Sequence, residues 1–269
     1  MKMHEDPPPA ISHPAHPAHK LTLVDGGGAP FVCDGCKDNG YGPRYTCQCG
    51  CGEPGGGAAF HLHTCCALAD ERVPLVHRLF GDHRKFVFLE QPPPPVDDTV
   101  CDACGEPAPG FVYHCFEADL DLHPCCAHLP ERLLWGGRVF ELRRSASRPC
   151  GMCGGSERRR RRRRRFWAYR THFDGEAVDL HVACMKDIGR LSWEGGRRGR
   201  VGGGQIIPAS APVLEGVLQS LPRNKRRSTG FQRFCKIVGV VVSAIIAVIF
   251  GNPMAMIAAV AGPGGLLRD

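Results

Sequence analysis

Three pairs of cysteines with two residues between them stand along the chain, and each pair is followed by a His-x-x-Cys. A Cys-x-x-Cys turn brings two thiolates within reach of one ion, about 2.3 Å from each sulphur. A His-x-x-Cys adds two ligands from one face of a helical turn. Each set therefore predicts a closed tetrahedral Cys3His zinc site. The three predicted sets are Cys33, Cys36, His63 and Cys66; Cys101, Cys104, His123 and Cys126; and Cys150, Cys153, His181 and Cys184.

The flanks of these sets repeat as well. The histidines lie in the strings FHLHTCCA, LDLHPCCA and VDLHVACM, and ten residues separate Cys36 from Cys47 as they separate Cys104 from Cys115. Such self-similarity predicts a tandem array of one small structural unit. A chain with 34 glycines and 23 prolines has few residues for one large core and needs such stapling.

Two of the sets contain a cysteine doublet, which leaves the ligand frame open. The third set has Ala183 before Cys184, so the second cysteine of each doublet is predicted to be the ligand. The first cysteines, Cys65 and Cys125, are then interpreted as small buried apolar residues.

A second, interleaved zinc site is predicted around the first set. Its ligands would be His19, Cys47, Cys51 (or Cys49) and His77. In the second set Ala118 stands where a Cys-x-x-Cys would place the partner of Cys115, with His83 and His114 as weak substitutes. In the third set His172 is the only candidate. We expect one two-zinc unit and two degenerate units with one zinc each, or about three to four zincs per chain.

The residues so far resemble a known family. The strings HPAHKLTL, CDGCKDNGYGPRYTC, GFVYHC, LDLHPCCA and AVDLHVAC are similar to the cysteine/histidine-rich divergent C-one domains abundant in plants, which are relatives of the phorbol-ester and diacylglycerol-binding domain. The resemblance covers about His13 to Ile188. It implies small β-hairpin units with a short helix, held by interleaved zincs, that act in protein interaction and signalling.

Other functions receive less support from the sequence. In the parent domain lipid binding needs a long apolar loop after the first cysteine pair, whereas here KDNGYGPRYT is short and polar, which argues against diacylglycerol binding. HExxH, the zinc deaminase signature and a phosphate-binding loop are all missing from the sequence, so we expect a protein that is not an enzyme.

Charge and compartment follow from the rest of the sequence. The N-terminus has no apolar signal region, which predicts a reduced, cytoplasmic or nuclear protein rather than a secreted one. The net charge is +7, and eight consecutive arginines, 158–165, supply more than this excess. No base-reading element accompanies the arginines, so specific recognition of nucleic acid is not expected.

The C-terminal region contains an apolar stretch, 237–262, preceded by a basic segment. A spanning helix needs about twenty apolar residues, but Asn252 and Pro253 interrupt this one. It is interpreted as a kinked membrane anchor, as an apolar hairpin at an interface, or as a helix docked on the rest of the chain.

The sequence thus predicts small α+β zinc-stapled modules in tandem with a C-terminal apolar helical tail, acting as an adaptor for protein partners; a peripheral lipid-sensing module is the alternative. The predicted segments are a disordered N-terminus (1–12), module 1 (13–80), module 2 (81–135), module 3 (138–190, with the arginine run inserted), a glycine-rich basic linker (191–236) and the tail (237–262).

Overall fold

The computed structural model describes residues 7–190 and 245, except 26–29, 48, 50–58, 82, 136–137, 149, 151–164, 174 and 188–189. The described chain is rich in β-sheet and has only short helices. This agrees with the predicted α+β class at the level of secondary structure.

Three four-stranded antiparallel sheets carry most of the described chain. Sheet 1 contains, in spatial order, β1 (Ala10–His13), β2 (His16–Val24), β5 (Arg44–Cys47) and β6 (Phe60–His63). Sheet 2 contains β7 (Leu75–Val76), β8 (Lys85–Leu89), β9 (Val112–Cys115) and β10 (Leu120–Leu122). Sheet 3 contains β11 (Arg132–Trp135), β12 (Arg138–Arg143), β13 (Ala168–Phe173) and β14 (Glu176–His181). A separate hairpin pairs β3 (Pro30–Val32) with β4 (Asn39–Tyr41).

A helical turn follows the last strand of each sheet. These turns are α1 (Thr64–Ala67), α2 (Pro124–Ala127) and residues 182–187. His63 and His123 still have extended ψ angles, 149° and 142°, so the chain turns into the helix one residue after each histidine. Proline at the first helical position of α2 suits this start, because its missing N–H has no partner there anyway.

One face of each sheet is closed by apolar side chains that alternate with polar ones along the strands, as a half-buried sheet requires. The largest inward residues are at most 2% exposed. They are Leu21, Tyr45 and Leu62 in sheet 1; Phe86, Tyr113 and Leu122 in sheet 2; and Phe140, Tyr169 and Leu180 in sheet 3. Each core is small, so burial alone supplies little stability.

Contacts divide the chain into two compact units. One contains the described residues of Met1–Cys101 and Glu106–His128, and the other contains Asp102–Gly105 with the described residues from Leu129 onward. Three residues of the second Cys-x-x-Cys turn, Asp102 to Cys104, thus group with residues of sheet 3.

In both units a Cys-x-x-Cys turn receives a hydrogen bond from a later aromatic residue. The amide of Phe111 donates to the Gly35 carbonyl (3.1 Å), and the amide of Trp167 donates to the Ala103 carbonyl (3.0 Å). The ring of Phe111 lies so close to Gly35 that a Cβ there would be 2.4 Å from it. Each turn is therefore fixed by residues far along the chain as well as by its own hairpin.

Strand pairing groups residues differently from the predicted segment boundaries. Residues 10–12, predicted as disordered, lie in β1. β7 was predicted in module 1 but pairs with β8, and β11 was predicted in module 2 but pairs with β12. The reason is that sheets 2 and 3 each begin with a strand that lies a few residues after the preceding helical turn.

The linker and nearly all of the apolar tail lie outside the described residues. Within the part of the chain that the structure describes, no helix is both long and apolar enough to cross a membrane.

A buried carboxylate organises the chain ahead of Cys150. Asp179 is 0% exposed and accepts hydrogen bonds from the amides of Ser147 (2.9 Å) and Arg148 (2.8 Å). The Arg170 side chain donates to it from Nε (2.8 Å) and from a terminal nitrogen (2.9 Å). A β-bridge joins Asp179 to Cys150, so this network places that cysteine beside the end of β14.

We expect Asp179→Ala to lower the free energy of unfolding by about 3 kcal/mol, because it strands two amides and a guanidinium. The matched control is Glu141→Ala, whose ion pairs with Arg132 and Arg143 are at the surface and should contribute less than about 1 kcal/mol. Urea unfolding of the zinc-loaded protein, followed by tryptophan fluorescence, measures both. Equal losses in the two variants would contradict this role for Asp179.

Candidate metal centres

The first cluster brings together the four residues predicted from spacing, Cys33, Cys36, His63 and Cys66. All four are at most 1% exposed. The Nδ1 atom of His63 lies 3.3 Å from the Cys36 sulphur and 3.9 Å from the Cys66 sulphur. A tetrahedral zinc with ordinary bond lengths separates sulphur from nitrogen by about 3.6 Å. The two observed separations lie on either side of this value, so the side chains are spaced to bind one zinc ion.

Local hydrogen bonds hold the first cluster in place. The Asp34 carboxylate accepts from the His61 amide (2.6 Å), and the Asp34 amide donates to the His61 carbonyl (2.8 Å). This double link ties the Cys-x-x-Cys turn to β6, two residues before the ligand His63. The position of the ligand histidine relative to the two thiols is therefore set by the backbone.

The far ring nitrogens of two ligand histidines meet backbone carbonyls. Nε2 of His63 lies 3.2 Å from the Asn39 oxygen, and Nε2 of His123 lies 3.0 Å from the Pro107 oxygen. A carbonyl can only accept, so each Nε2 carries the proton and each Nδ1 keeps a lone pair that can bind a metal. In His63 this atom faces the sulphurs of Cys36 and Cys66. Such outer hydrogen bonds are the usual way of orienting a histidine that binds zinc.

The second cluster contains Cys101, Cys104, His123 and Cys126, which are again the predicted set and are at most 2% exposed. The His123 amide donates to the Cys101 sulphur (3.3 Å). Lys186, which is 0% exposed, places its ammonium 3.8 Å from the Cys104 sulphur. Three thiolates and one neutral imidazole leave a zinc site with a net negative charge, and this ammonium offsets it.

The third cluster contains Cys150, His181 and Cys184; the fourth predicted ligand, Cys153, lies outside the described residues. The two sulphurs are 4.0 Å apart, and Nδ1 of His181 is 3.6 Å from the Cys184 sulphur. Zinc separates two of its sulphurs by about 3.8 Å. The His181 amide donates to the Cys150 sulphur (3.4 Å), as the His123 amide does to Cys101.

The electrostatics of the first cluster favour a bound cation. Burial opposes a charge on Cys33, yet hydrogen bonds with Cys36 and Cys66 help to lower its pKa well below the ordinary value. The hydrogen bond with Cys33 raises the pKa of Cys36 to about 11, and burial raises the pKa of Cys66 well above the ordinary value. Without a metal ion, Cys33 therefore loses its proton easily, whereas Cys36 and Cys66 resist deprotonation. A divalent ion allows all three sulphurs to be thiolates.

The fourth group differs from the predicted second site. The structure gathers His16, His19, Cys47 and Cys49. His19 and Cys47 were predicted, Cys49 was the alternative to Cys51, and Cys51 lies outside the described residues. The Cys49 sulphur is 3.4 Å from Nδ1 of His19 and 2.7 Å from the Cys47 sulphur. Cys49 is in a disulfide, so it must be reduced before it can bind a metal.

His77 lies elsewhere than expected. It begins a short 3₁₀ turn at Arg78–Phe80, where its Nδ1 accepts a hydrogen bond from the Leu79 amide (3.3 Å). Burial and then the charge of His128 lower the pKa of His77 to about 4. This geometry makes His77 a buried neutral histidine that caps a turn, and the group gathered around His19 contains His16.

Sequence reasoning missed His16 although a signal was present. The segment HPAHPAH places histidines at 13, 16 and 19, and only the last was assigned. The structure separates them: His13 is 6% exposed and stacks on Phe111, with 5.8 Å between ring centroids, while His16 and His19 lie together on β2. The spacing alone did not distinguish a core histidine from a candidate ligand.

Three histidines, His83, His114 and His172, were considered as ligands of a second zinc site in the later segments. Nδ1 of His114 lies 2.9 Å from the Asp121 carboxylate. His83 is exposed, and His172 lies in β13 opposite Ala177. Cys115, next to His114 in β9, is 0% exposed. These positions favour structural roles.

Comparisons with models of protein families, with curated proteins and with solved structures found no match. The chemistry of the clusters must therefore be read from their own geometry. The first two are complete Cys3His sets whose residues are at most 2% exposed, and this ligand composition is one that structural zinc sites have.

We expect Cys36→Ala or His63→Ala to remove about one zinc per chain and to unfold the chain around the first cluster, since a structural zinc contributes about 10–16 kcal/mol of apparent binding free energy. The control is Cys115→Ala, which removes a buried cysteine outside the three clusters. Elemental mass spectrometry gives the zinc count, and limited proteolysis locates the unfolded region. Native protease resistance around the first cluster in either ligand variant would show that the ligand assignment is wrong.

An experiment can distinguish His16, which lies in the fourth group, from His77, which was predicted for the second site. After reduction and zinc loading, we expect His16→Ala to weaken zinc binding at the fourth group about 10-fold or more, whereas His77→Ala should leave zinc binding unchanged. Competition with a chromogenic zinc chelator measures the affinities. A loss in His77→Ala and none in His16→Ala would restore the ligand set expected from the sequence.

Proposed function

We propose that the protein is an intracellular zinc-binding adaptor that presents surfaces to protein partners. The observation that carries this proposal is the enclosure of complete Cys3His ligand sets. The ligands of the first two clusters are at most 2% exposed, so a substrate has no access to a metal held there. Zinc in such positions supplies stability, which leaves the surface for recognition.

We further propose that the chain is a tandem array of three modules related to the divergent C-one domains. Three features support this. Each sheet has its four strands in chain order, with a ligand histidine after the last strand and a helical turn behind it. Tyr45 and Tyr169 donate from equivalent strand positions to the carbonyls of Pro8 and Pro130, at 2.6 Å each. The first two Cys-x-x-Cys turns receive the same kind of amide hydrogen bond.

In this proposal the modules bind about three to four zincs. The first three clusters each hold one, and the fourth group adds another when its cysteines are reduced. Because the ions hold the modules in shape, partner binding should depend on zinc.

Exposed apolar side chains support a role in protein binding. Phe116 is 66% exposed and meets the ring of His114 edge-on, with 4.5 Å between centroids. Val73 is 63% exposed and Val32 is 56% exposed. Aromatic residues are enriched at the centres of interfaces, so Phe116 is the first residue to examine as a partner contact.

The alternative function is lipid sensing, which the parent domain performs through the loop after its first cysteine pair. Here the corresponding residues form β4 and β5, and the Arg44 guanidinium lies 5.0 Å from the centre of the Phe31 ring. This paired, cation-bearing segment favours the adaptor proposal.

The adaptor proposal predicts zinc-dependent partner binding. Proteins that co-purify with the full chain under reducing conditions should be retained by Cys115→Ala, lost by Cys36→Ala and reduced by Phe116→Asp with the zinc count unchanged. Quantitative mass spectrometry compares the variants. An identical set of proteins for all of them would contradict binding through the folded modules. Flotation of residues 1–200 with diacylglycerol-containing vesicles tests the alternative, for which the protein would rise with the lipid.

A further inference from the structure

Two cysteines outside the predicted ligand sets face each other. The sulphurs of Cys65 and Cys125 are 2.7 Å apart. Both are free thiols and are buried, at 8% and 4% exposure. They lie on α1 and α2, which pack against each other within one compact unit. The sequence predicted them only as small apolar residues, and their contact is not explained by that role.

The two cysteines occupy equivalent positions. Each is the first member of a Cys-Cys doublet and follows its ligand histidine by two residues, in HTCC and HPCC. The third segment has Ala183 at this position. Alanine is therefore compatible with the same local fold, and the thiols are not required to form the helical turn.

Their neighbours are engaged in the clusters. His63 and Cys66 belong to the first cluster, and Cys126 belongs to the second. His63, Cys65 and Cys125 also lie close enough to one another to share an ion, but the Nδ1 atom of His63 is directed to the first cluster. Cys125 also lies within hydrogen-bonding reach of His63 and Cys66. When zinc occupies His63 and Cys66, Cys65 and Cys125 are left as each other's thiol partner.

The distance between the sulphurs distinguishes the two chemistries of such a pair. A disulfide needs about 2.05 Å between sulphurs, and two thiolates on one zinc are about 3.8 Å apart. The observed 2.7 Å is closer to the bonded distance. A shift of roughly 0.7 Å closes a disulfide, whereas opening the pair for zinc takes roughly 1.1 Å and separates two packed helical turns.

We propose that Cys65 and Cys125 form a redox-active dithiol, which a peroxide oxidises to a disulfide that locks the first cluster to the second. One thiol reduces hydrogen peroxide to water and becomes a sulfenic acid. The other thiol attacks that sulphur, the S–S bond forms, and a second water leaves. The two sulphurs lose two electrons in total, and the peroxide accepts them. The bond closes a loop across a sequence separation of 60 residues, and long loops are those that a disulfide stabilises most.

The test uses the full chain, reduced with a phosphine, loaded with zinc and then treated with equimolar hydrogen peroxide. Peptide mapping without reduction should find the peptides of Cys65 and Cys125 joined and lighter by two hydrogens. Elemental mass spectrometry should find the zinc count unchanged. The midpoint of urea unfolding should rise upon oxidation.

Matched variants complete the experiment. Cys65→Ala and Cys125→Ala should each abolish the joined peptide and the shift in the urea midpoint, with no loss of zinc, while Cys115→Ala should keep all three properties. The inference is overturned if peroxide joins ligand cysteines and releases zinc while Cys65 and Cys125 remain open to alkylation. It is also overturned if Cys125→Ala lowers the zinc count, because the pair would then hold a metal.

Discussion

The repulsion among buried thiolates is the constraint on which the rest of this structure depends. Each of the first two clusters encloses three cysteine sulphurs and one imidazole beyond the reach of water. Several negative charges in such a place are unstable unless a cation joins them. A small sheet with one row of buried side chains cannot supply that energy from its core. The zinc ion that neutralises the thiolates is thus also the ion that stabilises the sheets, so folding and zinc binding are coupled.

Around this interaction the backbone does most of the positioning. Backbone hydrogen bonds fix the segments next to the ligands. They include the link between Asp34 and His61, the bonds of His63 and His123 to backbone carbonyls, and the amides that donate to Cys101 and Cys150. Side chains from distant segments then add what local structure lacks. Lys186 brings a positive charge to Cys104, and Phe111 covers the turn at Gly35. Each of these contacts joins a Cys-x-x-Cys turn to a residue from a later segment of the same unit. Loss of one zinc ion is therefore expected to weaken the packing of the neighbouring segments in that unit.

Features that depend on residues close together in the sequence could be predicted, whereas features that depend on contacts between distant residues could not. Cys33, Cys36, His63 and Cys66 could be grouped because turn and helix geometry fix such spacings locally. His77, predicted as the last ligand of the second site, begins a 3₁₀ turn after β7, and spacing does not encode that local role. Strand pairing also depends on packing: β7 and β11 pair with strands that lie in the next predicted segment. The contact between Cys65 and Cys125 joins residues 60 apart, so only a packed structure could reveal it.

The cysteine doublets show how one sequence position can carry two kinds of chemistry in neighbouring residues. On each helical turn the second cysteine faces a cluster and the first faces the other turn, because adjacent residues on a helix point in different directions. Zinc lowers the reactivity of the thiolates that it binds by sharing their lone pairs, but it has no such effect on the thiols beside them. In the proposed redox pair, a zinc ion bound to Cys66 or Cys126 would leave the neighbouring Cys65 and Cys125 free to react with an oxidant. A protein organised in this way can respond to an oxidant at one pair of sulphurs while its metal-stabilised fold persists.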